Sequence, residues 1–171
     1  RKSRETIVER FGAARLWTPA HHRVDRLALT VELARFGLDL LHSPDFIPPL
    51  HGARRHVITV HDLTFLHYPD YLTADARRYY NDQITWAVRH ADHILVESDA
   101  TRRDLSDILH VPETKMTLSL LGVDPEFHPL TVDERDHWRT QLDLPQDYIL
   151  FVGTFEPRKN IIGLLNAYTA V

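Results

Sequence analysis

Two short stretches of the chain bring together residue types that could do chemistry. In Phe151-Val152-Gly153-Thr154-Phe155-Glu156-Pro157-Arg158-Lys159-Asn160, an apolar run gives way to a tight loop and then to a helix start. A helix N-terminus offers unpaired backbone N–H groups and the positive end of the helix dipole, which together favour an anion. Arg158 and Lys159 add two positive charges there. Arg presents a planar fork and Lys a compact charge, a pair suited to a phosphate or diphosphate. The alternative is a solvated basic pair on a first turn, although the dipole disfavours cations at that end unless an anion is bound. The second stretch is Val57-Ile58-Thr59-Val60-His61-Asp62-Leu63. His61 follows directly on a β-branched run, so it stands where a buried strand ends. There an imidazole can bond a sugar hydroxyl or move a proton; equally, it can be a structural His bonded to a neighbouring backbone group.

Other chemistries find less support. The 171 residues carry 20 Lys and Arg against 24 Asp and Glu, a formal charge of −4, so no basic excess is available to neutralise a nucleic acid. The absence of Cys removes disulfides, thiolate zinc sites and thiol nucleophiles. The 12 His residues invite a metal reading, but His90 and His93 span a helix end and a strand start, and adjacent His21 and His22 diverge. Neither His-Glu-x-x-His nor Asp-x-Asp occurs, so no metal is expected. His61-Asp62 also resembles the metal-binding dipeptide of HD-type phosphohydrolases, but those place it in a helical bundle, whereas here it ends a strand pattern. Ser43 and Ser98 follow strands without a Gly-x-Ser-x-Gly context, and Ser98 reads better as a helix cap. No apolar run reaches the ~18 residues of a membrane span.

The elements that must position these residues alternate along the chain. Helical spacing at Ile7, Val8, Phe11 and Ala14, and again at Val24, Leu27, Ala28, Val31 and Ala34, predicts two helices, the second stopping near Gly37. Strands are predicted over 39–43, 57–60, 94–96 and 116–121, those at 57–60 and 94–96 buried on both faces. Thr73 caps one intervening helix and Ser98 another. Such βαβ alternation implies an α/β fold with a parallel sheet, whose ligands bind at the carboxyl ends of its strands. From Gly122 the character changes. Two prolines mark a connection, Thr131-Val132-Asp133-Glu134 is a capping box, and a strand over 148–152 followed by a final helix is expected to begin a second sheet. Tyr79, Tyr80 and Trp86 share one helix and are expected to pack rather than to stack on a sugar. The basic start (Arg1, Lys2, Arg4, Arg10 and Arg15) reads as a solvated face, with contact to anionic lipid as the alternative. The chain begins without Met and its last helix lacks a C-terminal signal, so a fragment is expected.

In combination, these segments resemble family 4 retaining glycosyltransferases, which have the GT-B architecture of two Rossmann-like domains facing a cleft. The resemblance rests on an ordered set: Asp39-Leu40-Leu41-His42-Ser43-Pro44, Val60-His61-Asp62-Leu63, Ala91-Asp92-His93-Ile94-Leu95-Val96-Glu97-Ser98, Ala100-Thr101-Arg102-Arg103-Asp104-Leu105, Gly122-Val123-Asp124, and the segment from Val152 to Asn160. It implies a partial acceptor-side domain over 1–128, then a hinge region and the truncated start of a donor-side domain over 129–171. It implies a nucleotide-sugar donor, a glycan or lipid-linked acceptor, and no cofactor. His61 matches the His that contacts the donor sugar. Lys159 matches the Lys that holds the diphosphate, with Gly153 and Thr154 in the same loop. Many members carry Arg where this chain has Thr154, which makes Arg158 the candidate for that charge. Gly122 matches a Gly beside the donor, and its usual Asn neighbour is Leu121 here. The Gly-Thr-Phe-Glu-Pro-Arg-Lys-Asn form is similar to that of bacterial polysaccharide mannosyltransferases, which gives GDP-mannose as the first expectation for the donor. The family's glycine-rich loop and its Glu-x7-Glu region are missing, so the fragment alone is expected to be inactive. A cytoplasmic location, at the inner face of the membrane if lipid is engaged, is the matching expectation. The rival reading is a degenerate GT-B protein that binds a nucleotide sugar or a partner without turnover.

Overall fold

The computed structural model describes residues 16–17 and 25–170. The predicted helix over 7–14, the basic start and Val24 lie outside the described residues. The chain divides into two compact units, Arg1–Leu120 and Leu121–Val171.

In the first unit, helix α1 (Asp25–Leu33) runs into a 3-10 turn (Ala34–Phe36) and stops at Gly37, whose φ of 56° is the left-handed conformation that Gly adopts without a Cβ clash. There follow β1 (Leu38–Ser43), β2 (Ala53–Val60), the single turn α2 (Thr64–His67), α3 (Ala74–His90), β3 (His93–Val96), α4 (Asp99–Leu109) and β4 (Met116–Leu118). The four strands are all parallel and lie in the order β1-β2-β3-β4. The four predicted strands thus form one parallel sheet, and two of their bounds move by more than one residue. β2 starts earlier, at Ala53, because β1 runs beside it from Leu38. β4 ends at Leu118 rather than at 121, because its partner β3 ends at Val96 and the chain there turns into α4. Thr73 and Ser98 cap α3 and α4 as predicted, their hydroxyls accepting from the N–H groups of Ala76 and Thr101.

The core forms on one face of the sheet. Period-two alternation puts Ile58 and Val60 of β2 on the same side as Ile94 and Val96 of β3, and all four are fully buried. They join Ile84, Ala87 and Val88 of α3, Leu105 of α4 and Met116 of β4 in a single cluster. Each large aliphatic side chain buried there is worth roughly 1.5–3 kcal/mol. The opposite face is covered in part, which bears out half of the expectation for the two central strands: Thr59 is buried there and Val57 and Leu95 are half-buried, while edge strand β1 is open. Leu40 is 58% exposed there, and polar pairs bridge the strands: His42 Nε2 with Thr59 Oγ1 at 2.9 Å and His93 Nε2 with Thr117 Oγ1 at 2.8 Å. Tyr80 packs with Phe46 and Phe65 against the core, and Trp86 lies between the Arg26 guanidinium and the His90 ring, so both aromatics take packing roles.

The second unit carries α5 (Val132–Gln141), a 3-10 turn (Pro157–Lys159) and α6 (Ile161–Thr169). The capping box at Thr131 and Glu134 forms with both of its reciprocal bonds. The strand predicted over 148–152 does not form. A strand exists through its ladder, and among the described residues of this unit no second strand is present to pair with it. Ile149, Leu150 and Val152 are accordingly exposed.

Candidate functional site

The ladder between β2 and β3 pairs Val60 with Val96. The next residue on each strand is His61 on one and Glu97 on the other, so the sheet itself places them side by side at its carboxyl end. His61 Nδ1 lies 2.8 Å from Glu97 Oε2, and Nε2 lies 2.9 Å from the carbonyl oxygen of Pro44, just past β1. The ends of three adjacent strands thus meet at one imidazole. A carboxylate and a carbonyl both only accept, so this arrangement favours the imidazolium, in which each ring nitrogen donates. The Glu97 hydrogen bond is the largest influence on the ring and raises its pKa above the ordinary imidazole value. Partial burial opposes it, while the charge of Glu97, the Pro44 carbonyl and the charge of Asp45 reinforce it. The His61 backbone is held as well: its carbonyl accepts from Thr101 Oγ1 at 2.9 Å, and that hydroxyl also bonds Ser98 Oγ, the cap of α4. The His61 side chain remains 54% exposed, open to a ligand. His61 is thus bonded to a backbone group, as the structural reading expects, and also faces solvent at the carboxyl end of the sheet. Asp62 turns to its own chain, its carboxylate accepting from the Thr64 N–H at 2.9 Å where α2 begins.

In the second unit, Glu156 organises the basic loop. Its two oxygens accept from Thr154 Oγ1 at 2.6 Å and from Arg158 Nε at 2.7 Å. These bonds, that of Thr154 foremost, hold the Glu156 pKa below its ordinary value. Lys159 Nζ makes no hydrogen bond or ion pair among the described residues. The two cations therefore differ, one bonded directly to the acid and the other acting on it only through its charge. Their position also corrects the sequence reading. They lie on the 3-10 turn ahead of α6, not on its first turn. The helix is capped by Asn160, in left-handed conformation at φ 48°, whose Oδ1 accepts from the Gly163 N–H at 3.2 Å. A Cβ on Gly163 would come within 2.4 Å of the Asn160 amide, so the cap requires that glycine. At Gly153 a Cβ would meet the Phe151 ring at 3.0 Å, whereas Gly122 is exposed in open space.

Sequence reasoning named His61, Gly122, Gly153, Thr154, Arg158 and Lys159 but gave no role to Glu97, Thr101 or Glu156. The signal for Glu97 was present, because it follows its strand as His61 follows its own. Among the described residues no group of three His, Asp or Glu converges as metal ligands; His90 bonds the Trp86 carbonyl and His93 bonds Thr117.

Comparison with known proteins identifies the family. The model for Glycosyltransferase Family 4 matches residues 2–127. The chain is 32% identical over 130 residues to O-antigen chain mannosyltransferase B of Escherichia coli, a match covering 75% of this chain and 34% of that protein. The chain thus spans about a third of the length of the curated relative it matches. With a parallel Rossmann-like sheet, the strand-end histidine and a family match over most of its residues, the chain belongs to glycosyltransferase family 4.

Proposed function

We propose that the protein to which this chain belongs moves a sugar from a nucleotide-sugar donor to a glycan or lipid-linked acceptor, with retention of configuration. The observation that carries the reading is His61, bonded to Glu97 and the Pro44 carbonyl at the carboxyl end of β2 with its side chain half exposed, an arrangement that favours the charged ring. A charged imidazole cannot take a proton; it donates a charge-assisted hydrogen bond, which suits a sugar hydroxyl. Lys159 and Arg158, with Gly153 and Thr154 in the same loop, take the donor diphosphate, and Gly122 lies beside the donor. GDP-mannose is the proposed donor, supported by the name of the mannosyltransferase relative. The reaction needs no cofactor in this reading, and the chain alone is inactive. The protein works in the cytoplasm, at the inner membrane face where a lipid-linked acceptor is presented. Among the described residues no helix is long and apolar enough to cross a membrane.

The test is transfer by the purified full-length protein from GDP-mannose, and from uridine-linked sugars as controls, to lipid-linked saccharide acceptors. The anomeric configuration of the product is read by NMR. Transfer from GDP-mannose with retention supports the proposal. Nucleotide-sugar binding without transfer to any acceptor points instead to a degenerate, non-catalytic binding protein.

A further inference from the structure

The contacts of His61 assign a role to a residue outside the sequence-predicted site. We propose that Glu97 is the positioning residue for His61, holding its Nδ1–H so that the ring stays an imidazolium with Nε2–H presented to a hydroxyl of the donor sugar. The proposal rests on the glycosyltransferase reading and deepens it.

Three observations support it. Register comes first: Val60 and Val96 are partners, so the backbones deliver the two side chains to each other and no flexible loop is needed. Burial comes second, since the Glu97 side chain is only 22% exposed beside a histidine that is 54% exposed. The carboxylate is the inner, fixed partner and the ring the outer, accessible one. Third is the chemistry of the other bond. Nε2–H is occupied by a single backbone carbonyl, that of Pro44, in a neutral acceptor contact of 2.9 Å. A sugar oxygen can replace that carbonyl as acceptor while the stronger, charge-assisted bond to Glu97 stays in place. Pro44 then keeps the N–H satisfied until the donor arrives. The charged groups acting on the ring are Glu97 from the end of β3 and Asp45 from the loop after β1, and α4 contributes the uncharged hydroxyl of Thr101.

The test uses the full-length protein and has two readouts. Ring nitrogens of ¹⁵N-labelled histidine are titrated by NMR in wild type and in Glu97→Gln, with His61→Gln assigning the resonance. Gln keeps the shape and an acceptor oxygen but removes the charge. The expected result is a His61 titration above the ordinary imidazole value in wild type that falls in Glu97→Gln. In parallel, kcat for transfer is measured against pH. At a pH between the two measured ring titrations the Glu97→Gln enzyme should lose about tenfold in kcat, the gap between a charge-assisted and a neutral hydrogen bond. The loss should shrink at pH 6, and affinity for the nucleoside diphosphate should not change. A His61 titration identical in wild type and Glu97→Gln overturns the proposal, as does a kcat loss equal at both pH values. Failure of wild type to transfer any sugar would sink the glycosyltransferase reading instead, while the ring titration still decides whether Glu97 governs His61.

Discussion

Lys159→Ala, measured beside Arg158→Ala, is the most direct perturbation of the proposed diphosphate site. Lys159 Nζ makes no hydrogen bond or ion pair among the described residues, only a longer-range attraction to Glu156, so little must be given up when an anion binds. Its loss removes a charge-assisted hydrogen bond and should cost about 1.5–3 kcal/mol of donor binding. That range corresponds to about 10–150-fold in affinity. Arg158 starts from a different state, with Nε already on Glu156 at 2.7 Å. To hold a phosphate it must share or leave that carboxylate, so Arg158→Ala should weaken binding several-fold less than Lys159→Ala. Glu156→Gln makes the same point with the opposite sign, because it removes a negative charge from an anion site and frees the guanidinium; nucleoside diphosphate should then bind more tightly. Calorimetric titration of GDP into the full-length protein and each variant, at low and high salt, orders the three effects. Wild-type binding should weaken with salt, as exposed charge pairs do. If Lys159→Ala and Arg158→Ala both bind as tightly as wild type, and salt has no effect, the loop is a solvated turn and the phosphate site lies elsewhere.

Three further outcomes are expected. Leu105→Ala empties a fully buried position between α4 and the sheet and should cost about 2–5 kcal/mol in urea unfolding. Asp92 accepts from the His56 N–H at 2.8 Å and from Arg55, contacts that hold its pKa below the ordinary carboxylate value. Its stabilising effect is therefore present above that value and lost as pH falls through the depressed one; Asp92→Asn should cost about 1 kcal/mol at neutral pH, modest because the group is partly exposed, and should flatten the acid side of the stability profile. His61 has the opposite sign. Its raised pKa gives a contribution that is whole below the ordinary imidazole value and lost as pH climbs through the folded-state value. His61→Gln should erase that decline from the unfolding profile; an unchanged slope would refute the assignment of charge to the ring.

The first unit was legible because its signals are redundant. A β-branched run, a cap at Thr73 or Ser98 and the next apolar run agree on the same βαβ unit, and periodicity alone places Ile58, Val60, Ile94 and Val96 on one face. The strand over 148–152 failed for the converse reason. Its apolar run was read correctly as strand-like, but propensity is local and a ladder is not. The polar pairs on the second face of the sheet escaped notice because His42 meets Thr59, and His93 meets Thr117, only through strand register. At the candidate site, His61 was visible from its place after a strand. Its charge state was not, because that depends on Glu97 and Pro44, which are distant in sequence and adjacent only through register. The Asn160 cap was hidden for a smaller reason, since Pro157 suggests that the helix starts earlier than it does.

The strand order β1-β2-β3-β4 also bears on how the molecule comes into being. Each strand pairs with the one synthesised immediately before it. A nascent chain leaving the ribosome can therefore add every new strand to an edge that is already standing, without waiting for a segment still to be made. Close pairing in sequence keeps loop-closure costs small and favours rapid assembly. The second docking step, in which β3 reaches β2, is also the step that carries Glu97 to His61. The His61–Glu97 pair thus depends on two strands consecutive in the chain and on no residue of the second unit, so this end of the sheet is assembled early, from its own residues.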